Sequence, residues 1–226
     1  MEHNPAELEI AERYKLLIGS IVPRPIALVS TISPDGRPNL APFSFFTAVG
    51  SNPMTLLFCP ANLPDGSEKD TLRNAKLPAE GGVGEFVVNV ASEPYATRVA
   101  AAAERLAYGE SEFALVGLTP TPSLRIRPPR VAESPVCFEC RTVQVVRTNP
   151  TAPLGGNIVI GEVLAIHVAD GLVDDGYHVD PAALRAIGRM GGLDYCTTRE
   201  RFAMPMGREA LPGPGAPVTA GRPRSE

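Results

Sequence analysis

The side chains able to hold a ligand gather in one early stretch. Between Ile26 and Thr47 the chain carries hydroxyls (Ser30, Thr31, Ser44, Thr47), an amide (Asn39) and three phenyl rings (Phe43, Phe45, Phe46). A hydroxyl buried without a partner costs roughly 1–3 kcal/mol, so a purely apolar core would waste these groups. The mixture suits a planar aromatic ligand with polar edges. A second group follows at Ser67-Glu68-Lys69-Asp70-Thr71, where S-x-x-D reads as a capping box opening a helix. The unpaired N–H groups of a helix start, with Lys69 and Thr71 beside them, make a seat for phosphate. The other local reading is an ordinary capped surface helix with a solvated lysine.

Other chemistries find little support. There is no convincing catalytic triad, carboxylate pair or metal cluster. Cys137-Phe-Glu-Cys140 matches C-x-x-C, but VCFECRTVQVV reads as a strand, where i and i+3 face opposite sides. The sulfurs then diverge, and no second Cys or His pair sits at zinc-like spacing. His3 is terminal and His178 lies in a loop. His167 falls in a strand pattern, open between core packing and facing a ligand. Tyr195 and Arg201 follow a Gly-Gly turn and are open between closing over a site and plain surface roles.

These groups need a scaffold. Ile26–Ile32 and Asn39 onward form two strands across Ser33-Pro34-Asp35-Gly36, where Gly accepts the positive φ that closes a hairpin. Further strands are expected at Met54–Cys59, Glu85–Val90, Val136–Arg147 and Asn157–Val168, with Gly161 marking a bulge or a close approach. Asn4-Pro5 opens a helix running through Leu17 to a stop at Gly19-Ser20. Ser92 opens one reaching Tyr108, with Tyr95, Val99, Ala102 and Leu106 on one face. Asp180-Pro181 opens another, through ALRAIGRM to Gly191-Gly192. Phe113–Arg130 is a long Pro-rich connection. From Leu211 the tail is Pro/Gly-rich and expected to be disordered, leaving 1–210 as the domain and 211–226 as the tail.

The chain has 226 residues, 44% hydrophobic and 20% charged, with net charge −4. That is an ordinary globule, with no electrostatic case for nucleic acid or an anionic membrane. No run approaches the roughly 20 apolar residues of a spanning helix. The N-terminus lacks the layout of a secretory signal, and the four cysteines are too sparse for a disulfide framework, so the expected location is cytoplasmic. Hairpins come first and helices are inserted between and after them. The expected fold is mainly β, an antiparallel sheet or barrel with peripheral helices. No G-x-G-x-x-G follows a strand, so a dinucleotide would not be held in the Rossmann manner.

Taken in order, Pro23-Arg24-Pro25-Ile26-Ala27, Val29-Ser30-Thr31, Asp35-Gly36, Asn39-Leu40-Ala41-Pro42-Phe43-Ser44-Phe45-Phe46, Lys69-Asp70-Thr71 and Glu85-Phe86-Val87-Val88-Asn89 form a set. This set resembles the flavin reductase-like family with the FMN-binding split barrel, in its flavoredoxin-type branch, over roughly Tyr14 to Tyr195. The resemblance implies a six-stranded antiparallel split β-barrel that binds FMN, usually as a homodimer with the flavin near the subunit interface. It implies that Ser30, Thr31 and Asn39 to Phe46 (Asn39, Ala41, Pro42, Ser44, Phe45 and Phe46 among them) line the flavin, largely through backbone groups. Lys69 and Thr71 would hold the phosphate. Arg24 would reach the phosphate or pyrimidine edge, or form a structural ion pair across the interface. Asn89 would touch the ligand or satisfy neighbouring backbone.

Flavin chemistry asks no side-chain nucleophile of the protein. The implied function is an FMN oxidoreductase moving electrons from NADH or NADPH to free flavin, ferric iron or a partner protein. The alternative is an FMN electron carrier without NAD(P)H turnover of its own. A barrel of this type holding haem or a pyridoxal-type phosphate is a third reading.

Overall fold

The computed structural model describes residues 1–107, 109–211 and 222–223. Its main sheet has seven strands, all antiparallel, in the order β3-β2-β6-β9-β10-β5-β4. They are β2 (Ala27–Ile32), β3 (Pro38–Phe43), β4 (Phe46–Ser51), β5 (Met54–Phe58), β6 (Glu85–Val90), β9 (Val136–Arg147) and β10 (Asn157–Val168). Strand β1 (Arg24–Pro25) precedes them, and β7 (Pro120–Thr121) and β8 (Arg130–Val131) pair with each other between β6 and β9. Six strands were expected; the seventh is β4, whose Gly-bearing FTAVGS hides its pairing with β5.

Rings close the sheet. Phe43 on edge strand β3 meets Phe58 of β5 at 5.1 Å, and Phe58 meets Phe86 of β6 edge-on at 5.0 Å. With Ala27, Val29, Leu56, Val88, Cys140 and Val159 they fill the barrel. Strands β3 and β4 follow each other in sequence yet occupy the two edges of the sheet. That is the split. Gly161 is both bulge and close approach: the register shifts there, and a Cβ would lie 2.7 Å from Phe86 Cε1 and closer still to its Cζ.

The expected helices are cut short. Asn4 does cap a turn, but only Pro5–Glu7 follows it; α1 (Ile10–Ser20) starts afresh from a reciprocal Glu9–Glu12 capping box. Ser67 caps nothing, because its N–H and hydroxyl both donate to Asp65. Helix α2 covers only Asp70–Ala75, with Lys69 as N-cap. After Ser92 a tight turn (Glu93–Tyr95) leads into α3 (Ala96–Ala101). Tyr95, Val99 and Ala102 bury the expected face, whereas Leu106 falls beyond the helix and Tyr108 lies outside the described residues. Part of the Pro-rich connection is helical as α4 (Glu112–Val116), ended by left-handed Gly117. Asp180 caps α5 (Pro181–Leu184), but Ile187–Arg189 leaves the helical pattern as β11. It pairs with β1 and with β12 (Tyr195–Thr197), and this second small sheet outweighs the local helical spacing. Of the tail, 212–221 and 224–226 lie outside the described residues; Arg222–Pro223 pairs with Phe202–Ala203, which the expectation of disorder did not include. Among the described residues no helix is long and apolar enough to cross a membrane.

Candidate functional site

A cleft of about 1200 Å³ opens beside the split. One wall is β3 and the chain after it: Asn39, Ala41, Pro42, Phe43 and Phe45. The floor is the start of α2, with Lys69, Asp70, Thr71 and Arg73. A third side is the segment after α3, residues 102–106, with Glu112 of α4. The fourth is α1, through Ile10, Tyr14 and Leu17 among others. Phe45 and Lys69, far apart in sequence, therefore face one space.

Thr71 is 2% exposed and its Oγ1 accepts from Asn39 Nδ2 at 3.0 Å. The same amide donates to Thr31 Oγ1 at 3.2 Å, and Asn74 Nδ2 donates to that oxygen at 3.0 Å. Both Asn39 hydrogens are thus spent inside the protein. Thr71 accepts there, so its own hydroxyl proton is free to donate into the cleft. Thr31, fully buried, lies behind Asn39 rather than on the cleft surface.

The outer edge of β3 is short of donors. Leu40 N–H points away from β2 and donates to Glu112 Oε2 at 2.9 Å. By strand alternation Pro38 and Pro42 face the same way, and neither has an N–H. This edge offers carbonyl oxygens of Leu40 and Pro42. Burial pushes the Glu112 carboxyl above its usual range, and the Leu40 N–H only partly offsets that.

The cations divide into two kinds. Arg73 pairs with Asp70 at 3.3 Å. Lys76 and Arg147 share Glu68, at 2.8 and 3.2 Å. Lys69 and Arg105, both lining the cleft, have no acid within ion-pair distance among the described residues. Burial, then the Arg105 charge, hold the Lys69 ammonium below the usual lysine range. The Phe43 ring lies 5.9 Å from its Nζ.

Of the expected site residues, Asn39, Ala41, Pro42, Phe45, Lys69 and Thr71 share the cleft. Four others have different employment, besides Thr31. Arg24 is 4% exposed and is spent on structure: it donates to Ile18 O (2.5 Å), Ile21 O (2.8 Å), Met190 O (3.0 Å) and Ser44 Oγ (3.2 Å). That ties the end of α1 to the β1–β11 corner and occupies Ser44 as well. Ser30 is fully buried, donating to Pro129 O at 2.5 Å and accepting from Asn89 Nδ2 at 3.2 Å. Asn89 is likewise structural, donating to Leu28 O and accepting from Val131 N–H. Phe46 turns to the opposite face, where it lines an apolar groove with Val49, Met54, Leu56, Phe138 and Val163.

His167 and the Pro-rich segment prove to be parts of one structural device. Glu139 is fully buried and accepts from Leu124 N–H and Arg125 N–H, both at 2.7 Å, and from His167 Nε2 at 2.5 Å. Tyr195 stacks under Arg189 at 4.5 Å. Cys137 and Cys140 are free and buried, one against Val131 O and the other inside the barrel. Sequence reasoning missed Arg105, Glu112 and the α1 wall, all brought in over long sequence distances. The one local sign was a charged pair, Glu104-Arg105, interrupting an alanine run.

Residues 18–183 match the family described as flavin reductase like domain. The chain belongs to the flavin reductase-like family. An uncharacterized protein of Halalkalibacterium halodurans is 37% identical over 211 residues, covering 90% of this chain and 95% of that one. Among solved structures, nitrilotriacetate monooxygenase component B from Bacillus cereus superposes with TM-score 0.83 at 34% identity, covering 90% of this chain and 98% of that one. The 2-nitrobenzoate 2-nitroreductase of Pseudomonas fluorescens superposes at 0.81 with 29% identity, covering 95% and 100%. With the sheet described above, this family's fold is a split barrel. Membership points to flavin-dependent oxidoreductase chemistry and makes FMN the cofactor to fit. The donor set fits a phosphorylated flavin: aromatic and apolar groups at one wall, Lys69 and the Thr71 hydroxyl at the floor, and Arg105 on the side next to it.

Proposed function

We propose that this chain binds FMN in the cleft beside the split and moves electrons from NADH or NADPH through it to an acceptor. The observation that carries this reading is the convergence of Phe45, Lys69 and Thr71 on one cleft. Bound flavin supplies the electron-transfer chemistry. The protein's part is placement. Lys69 offers charge and Thr71 a hydroxyl proton to the phosphate. Ala41, Pro42 and Phe45 give an apolar wall for the ring system, and the outward carbonyls of β3 accept from a ring N–H. At about 1200 Å³ the cleft is larger than the roughly 300–1,000 Å³ of small-ligand sites, which leaves room for a second planar molecule.

The acceptor is free flavin, ferric iron or a separate protein. The monooxygenase relative is one component of a larger system, which favours an acceptor outside the chain. We assign the apolar groove of Phe46, Val49, Met54 and Phe138 to a homodimer interface, whose check is gel filtration.

An absorption spectrum of the protein as isolated, followed by anaerobic NADH or NADPH, tests the reading. The expected result is a yellow protein that bleaches on reduction and recovers with an acceptor. A colourless protein without affinity for added FMN overturns it. A yellow protein that neither nucleotide bleaches establishes the carrier role instead.

A further inference from the structure

We propose that Arg105 is a second cation of the phosphate seat, and that with Lys69 it makes the cleft select a terminal phosphomonoester over an uncharged hydroxyl or a phosphodiester. The inference rests on the FMN reading above and narrows it to one form of the flavin.

The argument is one of charge left over. Basic residues elsewhere around the cleft have partners: Arg73 has Asp70, and Arg13 Nε donates to Leu8 O at 2.9 Å. Of the acids lining the cleft, Asp70 is ion-paired to Arg73, while Glu112 and Glu104 accept from the backbone N–H groups of Leu40 and Arg105, and among the described residues neither comes within ion-pair distance of Lys69 or the Arg105 guanidinium. Asp65 feels the Arg105 charge without coming within ion-pair distance of it, and its carboxylate accepts from the Ser67 N–H and hydroxyl. Lys69 and Arg105 remain, on the same cleft and near enough that the arginine charge disfavours the lysine one. Two like charges on one cleft, neither ion-paired to a carboxylate among the described residues, are a standing penalty in the free protein. An anion that touches both removes it.

The chemistry of that anion follows. A phosphomonoester carries about −1.5 to −2 charges at neutral pH and three strong acceptor oxygens. Lys69 offers a point charge, Arg105 a planar fork and Thr71 a hydroxyl proton, so each oxygen has a donor. In a diester, or in the pyrophosphate of FAD, that phosphate carries only about one charge and one of those oxygens is taken up by the second linkage. The cleft is therefore matched to FMN above riboflavin and above FAD.

The test is titration of the full chain with riboflavin, FMN and FAD, followed by flavin fluorescence, for wild type, Arg105→Gln and Arg105→Lys. Arg105 is exposed, so neither variant disturbs a buried contact, and melting temperatures serve as the folding control. We expect wild type to favour FMN over riboflavin by about a hundredfold, R105Q to lose about tenfold for FMN, and riboflavin binding to stay unchanged. R105K recovers part of the loss. Inorganic phosphate competes with FMN more weakly in R105Q. Unchanged FMN affinity in R105Q, or an equal fall for riboflavin, overturns the assignment of Arg105 while leaving the flavin site standing. A wild-type protein that binds none of the three overturns the flavin reading itself.

Discussion

Asn39 Nδ2 donates to Thr71 Oγ1 across 3.0 Å, joining edge strand β3 to the first turn of α2. The amide fixes which way the threonine proton points. Thr71→Val keeps the shape and removes that proton. FMN affinity is expected to fall about tenfold, or ~1.4 kcal/mol, with riboflavin affinity unchanged. Fluorescence titration of both flavins checks it, and a parallel fall would mean that the threonine only supports the fold.

Glu139 ties the Pro-rich segment to the barrel. Burial alone would raise its carboxyl, but the N–H groups of Leu124 and Arg125 and the His167 ring hold it below the usual glutamate range. Its folded pKa is therefore lower than its unfolded one. The resulting stability is full above the unfolded value of about 4.3 and drains as pH falls through the folded value. Glu139→Gln is expected to cost about 2–4 kcal/mol at pH 7 and less in acid. Denaturant melts at several pH values measure this; a constant penalty down to acid would contradict it.

Gly161→Ala puts a methyl group into the Phe86 ring and 3.2 Å from Cys140 Cβ. Phe86 is fully buried and wedged against Phe58, so it has nowhere to go. Overpacking of this kind costs about 1–3 kcal/mol, which for a chain of this size lowers Tm by roughly 3–10 °C. Calorimetry on the purified variant decides it.

Arg24, open in the sequence between the cofactor and a structural ion pair across the interface, grips backbone carbonyls within its own chain. Lysine cannot reproduce a planar fork that reaches Ile18 O, Ile21 O and Met190 O together. Arg24→Lys is expected to lose about 2–4 kcal/mol, nearly as much as Arg24→Ala. If either variant alters flavin binding, FMN and riboflavin affinities should fall together. Loss confined to FMN would return Arg24 to the phosphate.

The barrel was legible because its strands carry local signals. β9 and β10 have the expected boundaries, since their β-branched runs are bounded by turn residues. β4 and β11 were not, because Phe46–Ser51 and Ile187–Arg189 become strands only through partners elsewhere. The site divides the same way. Phe45, Lys69 and Thr71, expected together from residue type and order, do line one cleft. Ser30 and Thr31 carried equally good chemistry, but strand alternation and the demands of Asn39 and Asn89 turned it inward.

Helix α1 buries only Ile18, yet Ile10, Tyr14 and Leu17 stand over the cleft. What fastens it is the arginine grip at its last turn. A wall moored at one end can lean without disturbing a single strand of the barrel. On the proposed reading, the width of the opening would then be set apart from its floor, and a second molecule stacked on the flavin would meet α1 while the phosphate end stays with Lys69 and Thr71.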